Sequence, residues 1–268
     1  MEKRQVTPMK LPSLALASIL ALPAVHAQNK ASAEWIPEFQ KVSPGQPFRT
    51  VVRLKVDKGW HTYWENPGEG GLPIKATADL PEGWSLGKIR FPAPIAFTTG
   101  ALHGFGYKGE VLFPLTITPP AGSDATELPE GIVAEIAWLT CNDSSCVPGK
   151  AEPTLADAQP ELVEKAYAQL PEEIPGTTLS FEISGDGVQL NLTLTSGSEV
   201  DPASCKVFPV TRNFIAPSSK PAFVKDGEKA DTWTLSAPKS EYLEGTPETL
   251  SLVLVGKTGK AWAVSSTR

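Results

Sequence analysis

The stretch RTVVRLKVDKGWHTYW (Arg49–Trp64) decides the fold. Apolar and polar residues alternate along it, and β-branched and aromatic types dominate. Successive side chains then fall on opposite faces of an extended chain, one buried and one wet. EVLFPLTITP (Glu110–Pro119) and GIVAEIAWLTC (Gly131–Cys141) repeat the pattern. Turn clusters separate these runs: ENPGEGGLP, LPEGW and PPAGSDA. The 26 prolines and 22 glycines of this 268-residue chain argue against long helices and for short strands joined by turns. Strands at this spacing predict a β-sandwich.

Further along, the period changes. In LADAQPELVEKAYAQLPEEIPG (Leu155–Gly176), Leu162, Val163, Ala166, Tyr167 and Leu170 fall at helical spacing, and Pro171 and Pro175 end the run. One helix and a linker are expected over 159–178, marking a domain boundary. Beyond them TTLSFEIS, GVQLNLTLT, CKVFPV, DTWTLSA, ETLSLVLVG and AWAVSS read as alternating strands again. The expected architecture is all-β: two immunoglobulin-like β-sandwich domains, over 28–158 and 179–268, joined by the short helix and linker.

At the other end, residues 1–27 read as a cleavable signal peptide. Lys3, Arg4 and Lys10 form a basic start, LPSLALASILALPAV an apolar middle, and VHA a small-residue cut site near Ala27. The apolar run is short and broken by Pro12 and Pro23, too little for a bilayer-spanning helix. A periplasmic or secreted protein is expected, peripheral to a membrane at most, in a compartment where disulfides persist. The chain carries a net charge of −6; residues 1–27 contribute +2, so the remainder carries −8. Such an acidic chain, with its Lys and Arg scattered, is not expected to bind nucleic acid.

The chemistry is concentrated in AWLTCNDSSCVPG, where Cys141 and Cys146 have only Cys205 for company in the whole sequence. Three readings compete. As a structural staple, the pair would close a loop of about six residues, worth roughly 2 kcal/mol, against nearly 5 for a loop of about 100. As a metal site it offers two thiolates, with Cys205, His61 and His103 as scattered extras where tetrahedral zinc wants four ligands. Copper(I), which needs fewer soft ligands, stays open. As a redox pair, a short loop with the polar NDSS inside it permits a bridge that is reachable and easily opened. Asp143 lies inside that loop, with no Lys, Arg or His beside it. Its charge favours a raised thiol pKa, so a passive partner is expected, attacked by another protein's thiolate. No metal and no cofactor is expected.

Four stretches, in order, carry a resemblance: GWHTYWENPGEGGLP, FPAPIAF, GFGYKGEVLFPLTI and WLTCNDSSCVPG. Together they resemble the N-terminal periplasmic domain of the DsbD/ScsB thiol:disulfide interchange family, nearest its ScsB-like branch. The likeness covers roughly residues 35–155 and is weaker over 180–268. It implies an immunoglobulin-like sandwich whose cysteine pair relays electrons, in the manner of a protein-disulfide reductase. A membrane thiol electron carrier would reduce the pair, and the pair would reduce oxidised thioredoxin-fold proteins of the periplasm. The resemblance also implies a cap loop with an aromatic residue over the disulfide. HGFGYKG occupies that position, which nominates Phe105, with Tyr107 beside it. His61 and Tyr63 take the positions that flank the pair, and Cys146 that of the mixed disulfide. His61 stands where the family commonly has a phenol. The sequence carries neither a membrane channel nor a thioredoxin-like domain, so the electron source is expected to be a separate protein. Copper tolerance enters only through the ScsB-like branch, as a competing reading beside a non-catalytic interaction module with a structural bridge.

The remaining conspicuous residues have plainer readings. Trp60, Trp64 and Trp138 are expected to fill the sandwich. His103 is expected in a solvated loop, and Cys205 as a buried, inert thiol. Phe105, between two glycines, shows no core role in sequence, which favours the cap. The triplet NLT at Asn191 sits mid-strand and is read as chance.

Overall fold

The computed structural model describes residues 29–122, 126–129 and 131–266; the expected signal peptide lies outside them. The chain is nearly all β, as the alternation predicts, with immunoglobulin-like sandwiches. The first is built from β1 (Ala31–Pro37), β2 (Phe48–Val56), β3 (Thr62–Gly68), β4 (Lys75–Ala78), β5 (Ser85–Leu86), β6 (Ile95–Thr99), β7 (Leu102–Tyr107), β8 (Glu110–Thr118), β9 (Ala134–Cys141) and β10 (Cys146–Ala151). After the helix α1 (Pro160–Ala168) come β11 (Glu172–Glu173), β12 (Thr178–Ser184), β13 (Gly187–Thr193), β14 (Lys206–Pro209), β15 (Val224–Lys225), β16 (Thr232–Pro238), β17 (Ser251–Val255) and β18 (Ala261–Ser265).

In the first sandwich the sheet β1-β2-β8-β5 faces two smaller sheets, β10-β9-β4 and β3-β7-β6. The two smaller sheets meet where His61 and Cys141 form an antiparallel bridge. Trp35, Val52, Leu54, Trp64, Phe113, Leu115, Ile136 and Trp138 fill the space between. One buried polar chain is satisfied inside: Trp35 Nε1 donates to Thr50 Oγ1 at 3.1 Å, and Thr50 Oγ1 donates to the Leu115 carbonyl at 3.1 Å.

Val51 and Val52 are both buried although they face opposite ways. The helix explains it. Pro160 sits in its first turn, where a missing N–H costs nothing. Val163 and Ala166 then pack on Ile36, Val51 and Leu112, the outer face of the sheet. Tyr167 Oη donates to the Leu115 carbonyl at 2.9 Å, and Arg49 pairs with Glu38 and Glu164 while lying over the Tyr167 ring. The segment is therefore a covering layer on the first sandwich as well as a connection to the second.

The second sandwich stacks β12-β13-β16-β15 on β11-β18-β17-β14 around Leu190, Leu192, Phe214, Leu235, Leu252 and Leu254. Its sheet β11-β18-β17-β14 is buried on both faces. Val207, Leu252 and Leu254 point into its own core, while Phe208, Val253 and Ala261 join the core of the first sandwich. That is why Leu252–Val255 (LVLV) is a continuous apolar run and not a clean alternation. Phe208 meets Trp64 and Phe105 edge-on, with ring centroids 6.2 and 5.6 Å apart. Asn66 Nδ2 donates to the Pro209 carbonyl at 2.7 Å, and the Arg212 guanidinium donates to the Glu65 carbonyl. Burying Phe208 alone contributes about 1.5–3 kcal/mol.

Candidate functional site at the β9–β10 hairpin

Strand β9 runs between β10 on one side and β4, then His61, on the other. At its last residue the two sides differ. Cys141 and His61 exchange both backbone hydrogen bonds, N–H to O=C at 3.0 and 2.9 Å. On the opposite side Cys141 faces Cys146 directly, and the next pair inward on the loop, Asn142 and Ser145, makes the backbone bond at 2.9 Å. Cys141 and Cys146 therefore form a non-hydrogen-bonded cross-strand pair, where side chains come closest. Their Cα atoms are 4.1 Å apart and their sulfurs are bonded at 2.03 Å. The loop is held by Asn142, whose Oδ1 accepts the backbone N–H groups of Ser144 and Ser145, each at 2.9 Å. The NDSS segment is thus a self-bonded turn.

The two sulfurs have different environments. Cys141 is fully buried, whereas Cys146, on edge strand β10, is exposed. Trp138 and Ile136 point into the core; Cys141, an odd number of residues away, points to the opposite face. His61 lies across from it on that same face. The His61 ring packs at 4.0 Å on Phe97 and at 5.3 Å, edge-on, on Tyr63. Its Nε2 is 3.4 Å from both Tyr63 Oη and Thr99 Oγ1. Burial first, then the nearby Lys108, hold the imidazole below its ordinary pKa, against a weaker pull from Asp143. Burial pushes the Tyr63 phenol up. Both rings are neutral at pH 7.

Of the residues nominated from sequence, Cys141, Cys146, His61 and Tyr63 are brought together. Phe105 and Tyr107 are not, and this corrects the expected cap. Phe105 lies on strand β7, buried at 6% exposure between Trp64 and Phe208, in the seam between the sandwiches. Tyr107 packs edge-on against Phe113 and donates its Oη to the Pro92 carbonyl at 2.8 Å, and burial raises its phenol far above the ordinary range. The glycines around Phe105 are there for close packing, not for flexibility. A Cβ on Gly106 would stand 1.9 Å from the Thr62 carbonyl, and one on Gly104 would stand 2.8 Å from the Phe97 ring. His103, expected in a solvated loop, is a strand residue whose N–H donates to the Glu69 carboxylate at 2.8 Å.

Phe97 is the residue that sequence reading missed. It is half-buried on edge strand β6, lies over bare Gly104, and closes on His61 and Tyr63. The signal was present as a pairing: an aromatic in AFTTG and a glycine in HGFG, which the β6–β7 register places opposite each other. Tyr63 is covered on another side by the ENPGEGGLP loop, where Gly71, at φ +114°, leaves no room for a side chain beneath the ring. Among the described residues no group of three or more His, Cys, Asp or Glu side chains is placed to hold a metal ion, and no helix is long and apolar enough to cross a membrane.

A family model described as the N-terminal region of the thiol:disulfide interchange protein DsbD matches residues 32–158. Residues 32–158 form a DsbD N-terminal-type domain. The cysteine hairpin, His61, Tyr63 and Phe97 all lie inside this DsbD-type domain, and the second sandwich lies outside it. A crystal structure of the N-terminal periplasmic domain of ScsB from Proteus mirabilis matches with a TM-score of 0.62 at 19% identity. That likeness covers 88% of this chain and 91% of the other, so the ScsB-like fold extends across both sandwiches. A structure of the YadV chaperone is also similar, with a TM-score of only 0.23 at 13% identity. No curated protein sequence matches.

Proposed function

We propose that this protein is a periplasmic thiol–disulfide exchange protein that passes electrons through Cys141 and Cys146. The family match over residues 32–158 supports a thiol:disulfide interchange-related domain; the exchange activity, the relay role and the compartment are our reading. The observation that carries it is the asymmetry of the bridge, with Cys146 an exposed residue on an edge strand and Cys141 sealed behind it. An incoming thiolate meets Cys146 first, and Cys141 is the leaving sulfur. In the reverse direction Cys146 attacks a partner's disulfide and Cys141 resolves the intermediate. Thioredoxin-fold proteins are the partner class that DsbD-type domains meet, and a membrane thiol carrier is the proposed electron source. Phe97 takes the cap role first assigned to Phe105, since it is half-buried, sits on an edge strand and rests on the ring opposite Cys141. Exposed Leu72 and Leu102 flank the same loop and hairpin and give a docking partner apolar surface.

The test is trapping. With Cys141→Ala, Cys146 holds a partner as a mixed disulfide visible on a non-reducing gel; with Cys146→Ala it does not. Absence of any adduct in the first variant, with the wild-type bridge inert to reduced thioredoxin, leaves a structural staple as the reading. The copper reading is favoured by no observation of this structure.

A further inference from the structure

Resolution of a mixed disulfide on Cys146 demands something of Cys141 that its surroundings make difficult. The sulfur is fully buried, and a buried thiol resists ionisation, yet only the thiolate attacks. A base must stand beside it. His61 is opposite Cys141 in the hydrogen-bonded pair, on the same face of the sheet, where Cβ atoms lie about 5 Å apart. It is nearly sealed from water, at 4% exposure. Its ring is fixed by Phe97 on one side and Tyr63 on another, with Thr99 Oγ1 and Tyr63 Oη at its Nε2.

We propose that His61 is the base that takes the proton of Cys141 when this thiol closes the bridge. The inference rests on the exchange reading above and assigns a role within it. In the step, the Cys141 Sγ–H proton passes to the neutral imidazole. The sulfur's electron pair forms the bond to Cys146 Sγ, the bond from Cys146 to the partner's sulfur breaks, and the pair leaves on that sulfur as a thiolate. The imidazolium then returns its proton to the departing thiolate or to water. The two cysteines lose two electrons and the partner gains them. The groups that tune the base come from each element packed on it. Tyr63 and its neutral phenol come from β3, Thr99 from β6, Lys108 from the end of β7, and Asp143 from the cysteine hairpin. Lys108 and burial keep the imidazole ready to accept, and Asp143 steadies the imidazolium once it forms.

The experiment mixes the reduced full-length protein with a symmetrical aromatic disulfide whose thiolate is coloured. Two releases follow: a bimolecular one as Cys146 attacks, then a unimolecular one as Cys141 displaces the second group. In His61→Phe the first release stays within about twofold of wild type, and the second slows about 10²-fold at pH 7. The gap closes in alkali, where the thiol ionises unaided. His61→Gln, which keeps a polar side chain without a usable base, is expected to be equally slow, and it carries the test if the Phe variant does not fold. A second release at the wild-type rate in either folded variant overturns the proposal, and so does rescue by Gln alone. Failure of the exchange reading itself looks different: the wild-type protein then gives no first release.

Discussion

The two sandwiches use one architecture to opposite ends, and their cysteines show it. In the first, a cystine lies across the last rung of a hairpin, with Cys146 an exposed residue on an edge strand. In the second, Cys205 is buried at the start of a strand, its Sγ donating to the Asp201 carbonyl at 3.4 Å, and burial raises its thiol pKa. The same element forms a cystine in one place and a buried free thiol in the other. What differs is whether the strand is at an edge, and whether a second sulfur stands opposite.

The comparison breaks most sharply on exchange itself. Cys146→Ser is expected to abolish reduction of an oxidised thioredoxin-fold protein, while Cys205→Ser leaves the rate within about twofold; equal loss in both would erase the distinction. Next in size is the seam. Phe208→Ala removes a ring that belongs to the second sandwich by sequence and to the first by packing, so it is expected to cost about 3–5 kcal/mol. Denaturant unfolding of this variant should show destabilisation sensed by probes in both sandwiches, and a change confined to the second would separate them. Smaller again is the cap. Phe97→Ala gives up aromatic contacts worth about 0.5–1.5 kcal/mol. Reduction of the bridge by a small thiol is therefore expected to quicken up to about tenfold, with Phe105→Ala lowering stability instead of speeding reduction. The smallest effect is on pH. His61 has a folded pKa below its unfolded value, so the unfolded chain binds a proton that the folded chain refuses. Its contribution to stability is whole above about pH 6.5 and is lost as pH falls through the folded value. His61→Gln should flatten that part of the acid-side loss, measured by thermal unfolding at a series of pH values, whereas Cys205→Ser changes only the alkaline side.

Much of this was legible. Alternation in Arg49–Trp64 and Glu110–Pro119 gave the sandwich through the face each strand turns to the core, although the helix also covers Val51 and Leu112 on the outer face. Cys141 and Cys146 were legible as a pair from their spacing, whereas His61 and Tyr63 entered only through the resemblance, because the bridge that sets His61 opposite Cys141 joins distant parts of the chain. What failed was Phe105. Two glycines beside an aromatic look like a flexible loop, but here one makes room for the neighbouring strand's carbonyl and the other for the Phe97 ring. Sequence shows that a side chain is missing and not what occupies the gap. The run SLVLV misled for a related reason. A strand buried on both faces differs from an alternating one only by the partner on its far side, which lies in a distant part of the chain.

That doubly covered sheet has a consequence for how the protein can be divided. Cutting the chain after α1 would strip Phe208, Val253 and Ala261 from the wall they share with Trp64 and Phe105. The severed half would keep its cysteine hairpin intact and yet wear an oily scar on its flank, inviting copies of itself to clump there. Anyone isolating the cysteine-bearing half alone should expect to lose it to the bottom of the tube before the proposed exchange is ever assayed.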